Sequence, residues 1–242
     1  MNLNSFNLKL IIGIVYLVLI SVVLYFVFSF VDFKDLTSLE FIKSNREIIL
    51  GYRDKNYLLL VFLFCIFSIL WTLLLGFATP LLLFSGFVFG KWWGILFVLL
   101  STTIGATLLY MLANLFFRDL IEKYLAPKFS KLRSFFNKNN ILYLTCFRLA
   151  GGGGTPFGIQ NVLPTLFNIP VKNYFISTFI GCAPSMFISV SLGSGIENII
   201  NKEDEFSILN IITSPEIYIP IMGFFLLLII AYIIKKIYFK TI

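Results

Sequence analysis

Arg148 is the residue whose chemistry most needs a partner. It is the one charged residue between Lys138 and Lys172. Ten helical residues beyond Lys138 would place it about 15 Å deep, near the middle of a hydrocarbon core roughly 30 Å thick. A lone guanidinium at that depth costs at least about 2.5–3.5 kcal/mol unless water, carbonyl groups or an anion meet it. Gly151, Gly152, Gly153 and Gly154 follow closely, and successive glycine N–H groups can line a concave anion nest. The competing reading of that run is a flexible packing linker. Thr155, Gln160 and Asn161 add neutral hydrogen-bonding groups, which serve either a bound anion or the broken backbone. The candidate substrate-binding set is therefore Arg148, Gly152, Gly153, Gly154, Thr155, Gln160 and Asn161. No Asp or Glu lies inside the long apolar runs, so the counter-charge must come from elsewhere. A phosphate, carried by a lipid or a solute, is the simplest candidate.

Other chemistries are weakly supplied. The chain has no histidine, which removes imidazole metal sites, Ser-His dyads and imidazole proton relays together. Cys65, Cys146 and Cys182 sit in apolar runs without zinc or disulfide spacing and read as small buried hydrophobes. Gly193-Ser194-Gly195 has no base to activate its serine and reads as helix packing. Gly90-Lys91 lacks the glycine and Ser/Thr that complete a phosphate-binding loop. The expectation is a non-enzyme with no cofactor and no metal.

The elements that must hold Arg148 are membrane helices. Of 242 residues 59% are hydrophobic and 13% charged, where a soluble domain has roughly 25% charged. Long neutral runs span 10–31, 56–90, 92–117, 173–196 and 217–234, and each can enter or cross a bilayer. The net charge of +7 falls in short segments between these runs, which suits headgroups and the positive-inside rule better than nucleic acid. The basic segment 118–138 and the lysine-rich tail read as cytoplasmic, and the acidic connection 197–216 as outward-facing. Segment 118–138 also has helical apolar spacing, as expected for a helix lying in the interface, and 32–55 reads as a second interfacial connector, with Thr37 and Glu40 at capping-box spacing.

Run 56–90 is too long for one span, and Gly76, Pro80 and Gly86 interrupt it. Run 139–171 repeats the theme with Gly151 to Gly154, Pro156, Gly158, Pro164 and Pro170. Both read as re-entrant hairpins, each followed by a full span, 92–117 and 173–196. The expected fold is an all-α polytopic membrane protein, a single membrane domain over 1–242. It has two inverted repeats and flanking transmembrane helices at 10–31 and 217–234, with both termini cytoplasmic. A complete span over 56–75, with the amino terminus outside, is the alternative; the five Lys/Arg of 32–55 favour it.

Arg148-Leu149, Thr155-Pro156-Phe157, Asn161, Thr178, Gly181 and Pro184 together resemble the second half of the DedA superfamily, in its VTT (SNARE-associated Golgi protein) branch. Pro80, the segment Gly86 to Gly94 with Phe89 and Gly90, and Gly105-Ala106 resemble the first half. The resemblance covers about residues 56 to 197. It implies two hairpins facing each other across the bilayer and, from better-understood members, movement of lipids between leaflets. It makes Arg148 the hairpin arginine, with Pro156, Phe157 and Asn161 completing its motif. The acidic residues of bacterial first hairpins have no counterpart near Phe77 to Pro80, so the resemblance gives no basis for proton coupling. The leading expectation is a phospholipid-translocating or scrambling protein of the cell (inner, plasma) membrane whose partners are lipid headgroups. The alternatives are a secondary transporter of a small anion and a non-transporting assembly or trafficking factor.

Overall fold

The computed structural model describes residues 39–74, 77–120 and 138–201 without interruption, and single positions within 11–29, 123–136 and 215–233. Among the described residues every regular element is helical. The expected flanking spans 10–31 and 217–234, the interfacial segment 118–138, Thr37 and Gly76 lie largely or wholly outside the described residues.

Helix α1 (Leu39–Lys55) and helix α2 (Tyr57–Leu73) meet at Asn56 with a bend of 110°. The change of direction follows composition. α1 ends in Arg53, Asp54 and Lys55, whereas α2 has no charged residue. At the far end of α2 the Trp71 indole N–H donates to the Phe77 carbonyl at 2.9 Å, which closes a turn before helix α3 (Ala78–Leu120).

α3 is not one rod. Gly90 sits at φ 74°, ψ 174°, a region essentially reserved for glycine. The Ser85 hydroxyl donates to the Gly94 carbonyl at 2.8 Å, whereas nine residues of straight helix would separate them by roughly 13 Å. The chain therefore reverses at Gly90, and the arm before it runs back along α2. Tyr57 meets Phe89 edge-on at 6.0 Å, and Phe64 meets both Phe84 and Phe89. Arg53 closes the mouth of this hairpin by donating to the Val88 carbonyl at 3.3 Å, a cation at a helix C-terminus.

The second half repeats the plan with shorter pieces. Asn139 accepts from the Leu142 N–H and caps helix α4 (Asn140–Leu149). Ten residues make α4 about 15 Å long, half a bilayer core. A glycine 3-10 turn (Gly151–Gly154), helix α5 (Phe157–Val162) and a 3-10 turn (Leu163–Phe167) bring the chain back. Asn168 in the left-handed region ends this arm, as Gly90 ends the first. Helix α6 (Val171–Asn201) follows, with Pro184 inside it. Its start returns to the start of α4, since the Asn173 amide donates to Asn140 at 2.7 Å.

Each return arm lies across the long helix of the other half. A methyl group on Gly86 would run into the Val190 carbonyl of α6, and one on Gly193 into the Leu83 carbonyl. Leu166 and Phe167 of the second arm pack with Ala106 and Tyr110 of α3. Phe157, at the tip of the second hairpin, packs on the cluster that includes Leu81, Leu82, Val98 and Met186. By length and hydropathy Ala78–Arg118 and Val171–Gly195 are candidate membrane spans. The reversal at Gly90 leaves the arm after it as the part of the first that can cross.

A spacing absent from the sequence reading emerges from these contacts. Thr79-Pro80 recurs 76 positions later as Thr155-Pro156, and Ser101-Thr102 with Ile104-Gly105 recurs as Ser177-Thr178 with Ile180-Gly181. The contacts keep the same register. A methyl on Gly105 would lie 2.8 Å from the Ile69 carbonyl and from Thr72, and one on Gly181 would lie 2.6 Å from the Arg148 Cβ and 2.9 Å from the Thr145 carbonyl. Thr72 to Gly105 and Arg148 to Gly181 are the same distance along the chain.

Close approach at the glycines yields a direct comparison. Gly86→Ala forces two backbones apart and is expected to cost about 1–3 kcal/mol. Gly51 in α1 has open space around it, so Gly51→Ala should be neutral or stabilising by up to about 1 kcal/mol. Thermal unfolding of both variants in detergent should lower the midpoint for the first only; equal midpoints would contradict the packing described.

Candidate functional site

α4 carries Arg148 in its last turn, where the carbonyl ends of a helix favour a cation. Its side chain is only 1% accessible although it is charged. The close passage of α4 over Gly181 buries it, because that glycine leaves no side chain to hold the helices apart.

Nη2 of Arg148 donates to the Tyr174 hydroxyl at 2.7 Å, and that hydroxyl donates to the Asn161 carbonyl at 3.2 Å. The guanidinium carbon is 5.5 Å from the Tyr174 ring centre. With a nitrogen on the hydroxyl it lies at the polar rim of the ring, so the hydrogen bond outweighs any cation–π attraction. Tyr174 is itself fully buried and stacks on Tyr110 of α3 with centres 4.3 Å apart and planes 7° from parallel. The Tyr110 hydroxyl donates to the Ile169 carbonyl. Arg148 is thus tied through one phenol to the return arm of its own hairpin and to the long helix of the first half.

Several polar atoms in this region have no partner among the described residues. They are Nε and Nη1 of Arg148, both ends of the Asn161 amide, and the hydroxyls of Thr145 and Thr165, while the Thr178 hydroxyl faces the Tyr174 phenol. Helical spacing gathers them. Thr145 stands one turn before Arg148, Thr178 one turn after Tyr174, and Thr165 four residues beyond Asn161. Buried polar atoms are rarely left unpaired, and a native cluster of them marks a place where water or a ligand belongs.

The glycine run is arranged differently. Gly151, Gly152 and Gly154 have positive φ, and Gln160 folds over Gly152, its amide N–H group donating to the Gly151 and Thr155 carbonyls at 3.1 and 2.6 Å. The Thr155 hydroxyl donates to the Gly152 carbonyl at 2.7 Å. Thr155 and Gln160 therefore serve the turn, and Gly153 lies within it. Gly151 and Gly154 are exposed. Of the expected set, Arg148 and Asn161 share the buried cluster.

The motif residues hold helices. Pro80 stands in the exposed first turn of α3, and Pro156 directly precedes α5. Phe89 is buried against Tyr57, Phe64 and Phe97. Gly94 admits the Ser85 carbonyl. A shallow apolar hollow lined by Trp92, Trp93, Ile95, Leu96 and Leu99 shares no residue with the Arg148 group. Sequence reasoning missed Tyr174, Thr145 and Thr165. No signal in the sequence set Tyr174 apart, since Lys172, Asn173 and Ser177 beside it are polar too.

Comparison with known proteins places this geometry. Residues 77–195 match the model of the VTT domain. The chain is 31% identical over 192 residues to a protein named transmembrane protein 41 homolog from Dictyostelium discoideum, covering 75% of this chain and 53% of that protein. It is 30% identical over 159 residues to human transmembrane protein 41B, covering 63% and 53%. It is 29% identical over 164 residues to the mouse protein of that name, covering 65% and 55%. The chain thus spans about half the length of these relatives. No solved structure matches it.

Tyr174→Phe tests the tether. It keeps the ring stack and removes the acceptor of Arg148 Nη2, leaving a third guanidinium nitrogen unpaired, at an expected cost of about 1–3 kcal/mol. Tyr110→Phe removes a neutral hydrogen bond and should cost about 0.5–1.5 kcal/mol. Unfolding midpoints in detergent should rank wild type, then Tyr110→Phe, then Tyr174→Phe; the reverse order of the two variants would remove Tyr174 from this role.

Proposed function

The chain belongs to the VTT-domain family of membrane proteins, and on that footing we propose that it passes phosphate-bearing lipids between the leaflets of a cell membrane. One observation carries the reading: a buried arginine at the tip of a half-length helix, with donors that no described residue uses. In this reading the two halves are inverted repeats, both hairpins are re-entrant, 10–31 and 217–234 span the membrane, and both termini face the cytoplasm of the inner (plasma) membrane. The chain performs no bond chemistry.

Half-length hairpins support the route. They replace part of the bilayer thickness with broken backbone, which is tolerated only against protein or water. Gly151 and Gly154 are exposed three and six residues from Arg148, so a polar notch at that depth would offer a headgroup a path while the acyl chains stay in lipid. Movement of the second hairpin brings the guanidinium to the notch and its phosphate.

The near-complete burial of Arg148 favours a second reading, a carrier of small anions with an occluded site. Purified protein in liposomes separates the two. Fluorescent lipid that becomes accessible to a membrane-impermeant quencher supports lipid passage, and uptake of phosphate without lipid movement supports the carrier. Neither activity would leave an assembly or trafficking role.

Arg148→Ala is expected to retain the fold and lose most transport, since it removes a costly buried charge together with the phosphate contact. Arg148→Lys keeps the charge without the planar two-donor edge and should transport partially. Lipid movement measured beside thermal stability checks both; full transport by folded Arg148→Ala ends the proposal. With no histidine in the chain and no carboxylate in its apolar runs, transport should also persist when a protonophore is added, and collapse under protonophore would contradict that expectation.

A further inference from the structure

Arg148 is the only charged side chain buried among the described residues. The unclaimed atoms on the elements that hold it, on Thr145, Asn161 and Thr165, are all neutral, so among the described residues the site carries one positive charge and no second ion to share a load. The geometry of the guanidinium adds a further constraint. Nη2 bears two protons, one on each of the two donor edges that a guanidinium presents alongside Nε or Nη1. Tyr174 accepts one of them, and Nε and Nη1 are both unclaimed. One complete two-donor edge therefore stays available, and such an edge matches two oxygens of a phosphate group.

We propose that the Arg148 site accepts singly charged phosphate groups, namely diesters or protonated monoesters, and rejects the doubly charged monoester. This rests on the reading of Arg148 as a phosphate site. A diester anion neutralises the guanidinium. A monoester dianion leaves one negative charge uncompensated where water is scarce, which is the expensive case. Among the described residues no buried carboxylate awaits a headgroup ammonium, so the ammonium stays outside the site, and choline and glycerol diesters are handled alike.

The discrimination has a pH signature set by the substrate. A phosphate monoester loses its second proton near pH 6, so its singly charged form dominates at pH 5.5 and is scarce at pH 7.5. Among the described residues the titratable groups near Arg148 are Tyr174 and Cys182 on α6, Cys146 two residues before it on α4 and, behind Tyr174, Tyr110 on α3. Thiols and phenols ordinarily ionise at about 8.5 and above, outside that window.

The experiment uses the full chain in proteoliposomes at pH 5.5 and 7.5, against protein-free vesicles. The probes are labelled phosphatidylglycerol, phosphatidylcholine and phosphatidic acid, with uptake of inorganic phosphate as a separate arm. The two diesters should move at similar rates at both pH values. Phosphatidic acid should move about tenfold faster at pH 5.5. Arg148→Lys should keep that ratio at a lower rate, and Arg148→Gln should lose it. Asn161→Asp, which adds a negative charge beside the site, should slow the diesters about tenfold and covers the case in which Arg148→Gln fails to fold. Phosphatidic acid moving equally at both pH values, while the diesters also move, overturns the charge rule and leaves lipid transport standing. Phosphate uptake that falls with rising pH in the absence of lipid movement supports the charge rule and overturns lipid transport. No movement of any probe overturns both.

Discussion

A helix broken inside a bilayer must settle its own backbone, because no water stands by to do so. The breaks described in these helices are met by side chains, as that constraint asks. Trp71 serves the carbonyl of Phe77 at one hairpin tip, and Gln160 with Thr155 serves three carbonyls at the other. Arg53 meets the end of the first return arm, Ser85 the carbonyl beside the reversal, and Asn139 the first turn of α4. These polar side chains sit where regular hydrogen bonding is interrupted. Arg148 sits at such a break too, yet it meets a phenol rather than a carbonyl, and that difference separates a structural cation from one with donors to spare.

Breakers made the hairpins legible in the sequence. Gly151 to Gly154, Pro156 and Pro170 exclude a straight helix, so the broken second half could be read from residue types alone. Gly90 was visible as a motif residue, but the complete reversal there depends on its φ and ψ and on the Ser85 contact. The role of Gln160 stood open because an amide between glycines can serve a ligand or a turn, and only its distances to two carbonyls decide. Tyr174 was invisible for another reason. One tyrosine in an aromatic-rich chain carries no signal until the partner of its hydroxyl is known.

Family and geometry speak to different levels of the question. The VTT match and the transmembrane protein 41 relatives establish a membrane protein of this family, while the relatives' names state no activity. At one place the fold holds one guanidinium, one phenol already engaged, and amide and hydroxyl groups that no described residue meets. That inventory is specific about charge, the property a phosphate presents.

Thr72 with Gly105 and Arg148 with Gly181 are helix contacts at the same spacing along the chain, each made at a glycine. The two partners differ in what they bring to the contact. Thr72 bonds quietly to the Ser68 carbonyl of its own helix, and Val98 stands at the position that matches Tyr174. The contact at Gly105 is accordingly a close glycine approach like that at Gly181, made without a charged side chain. The chain supplies its own record of what this corner of the fold looks like when an arginine is not there.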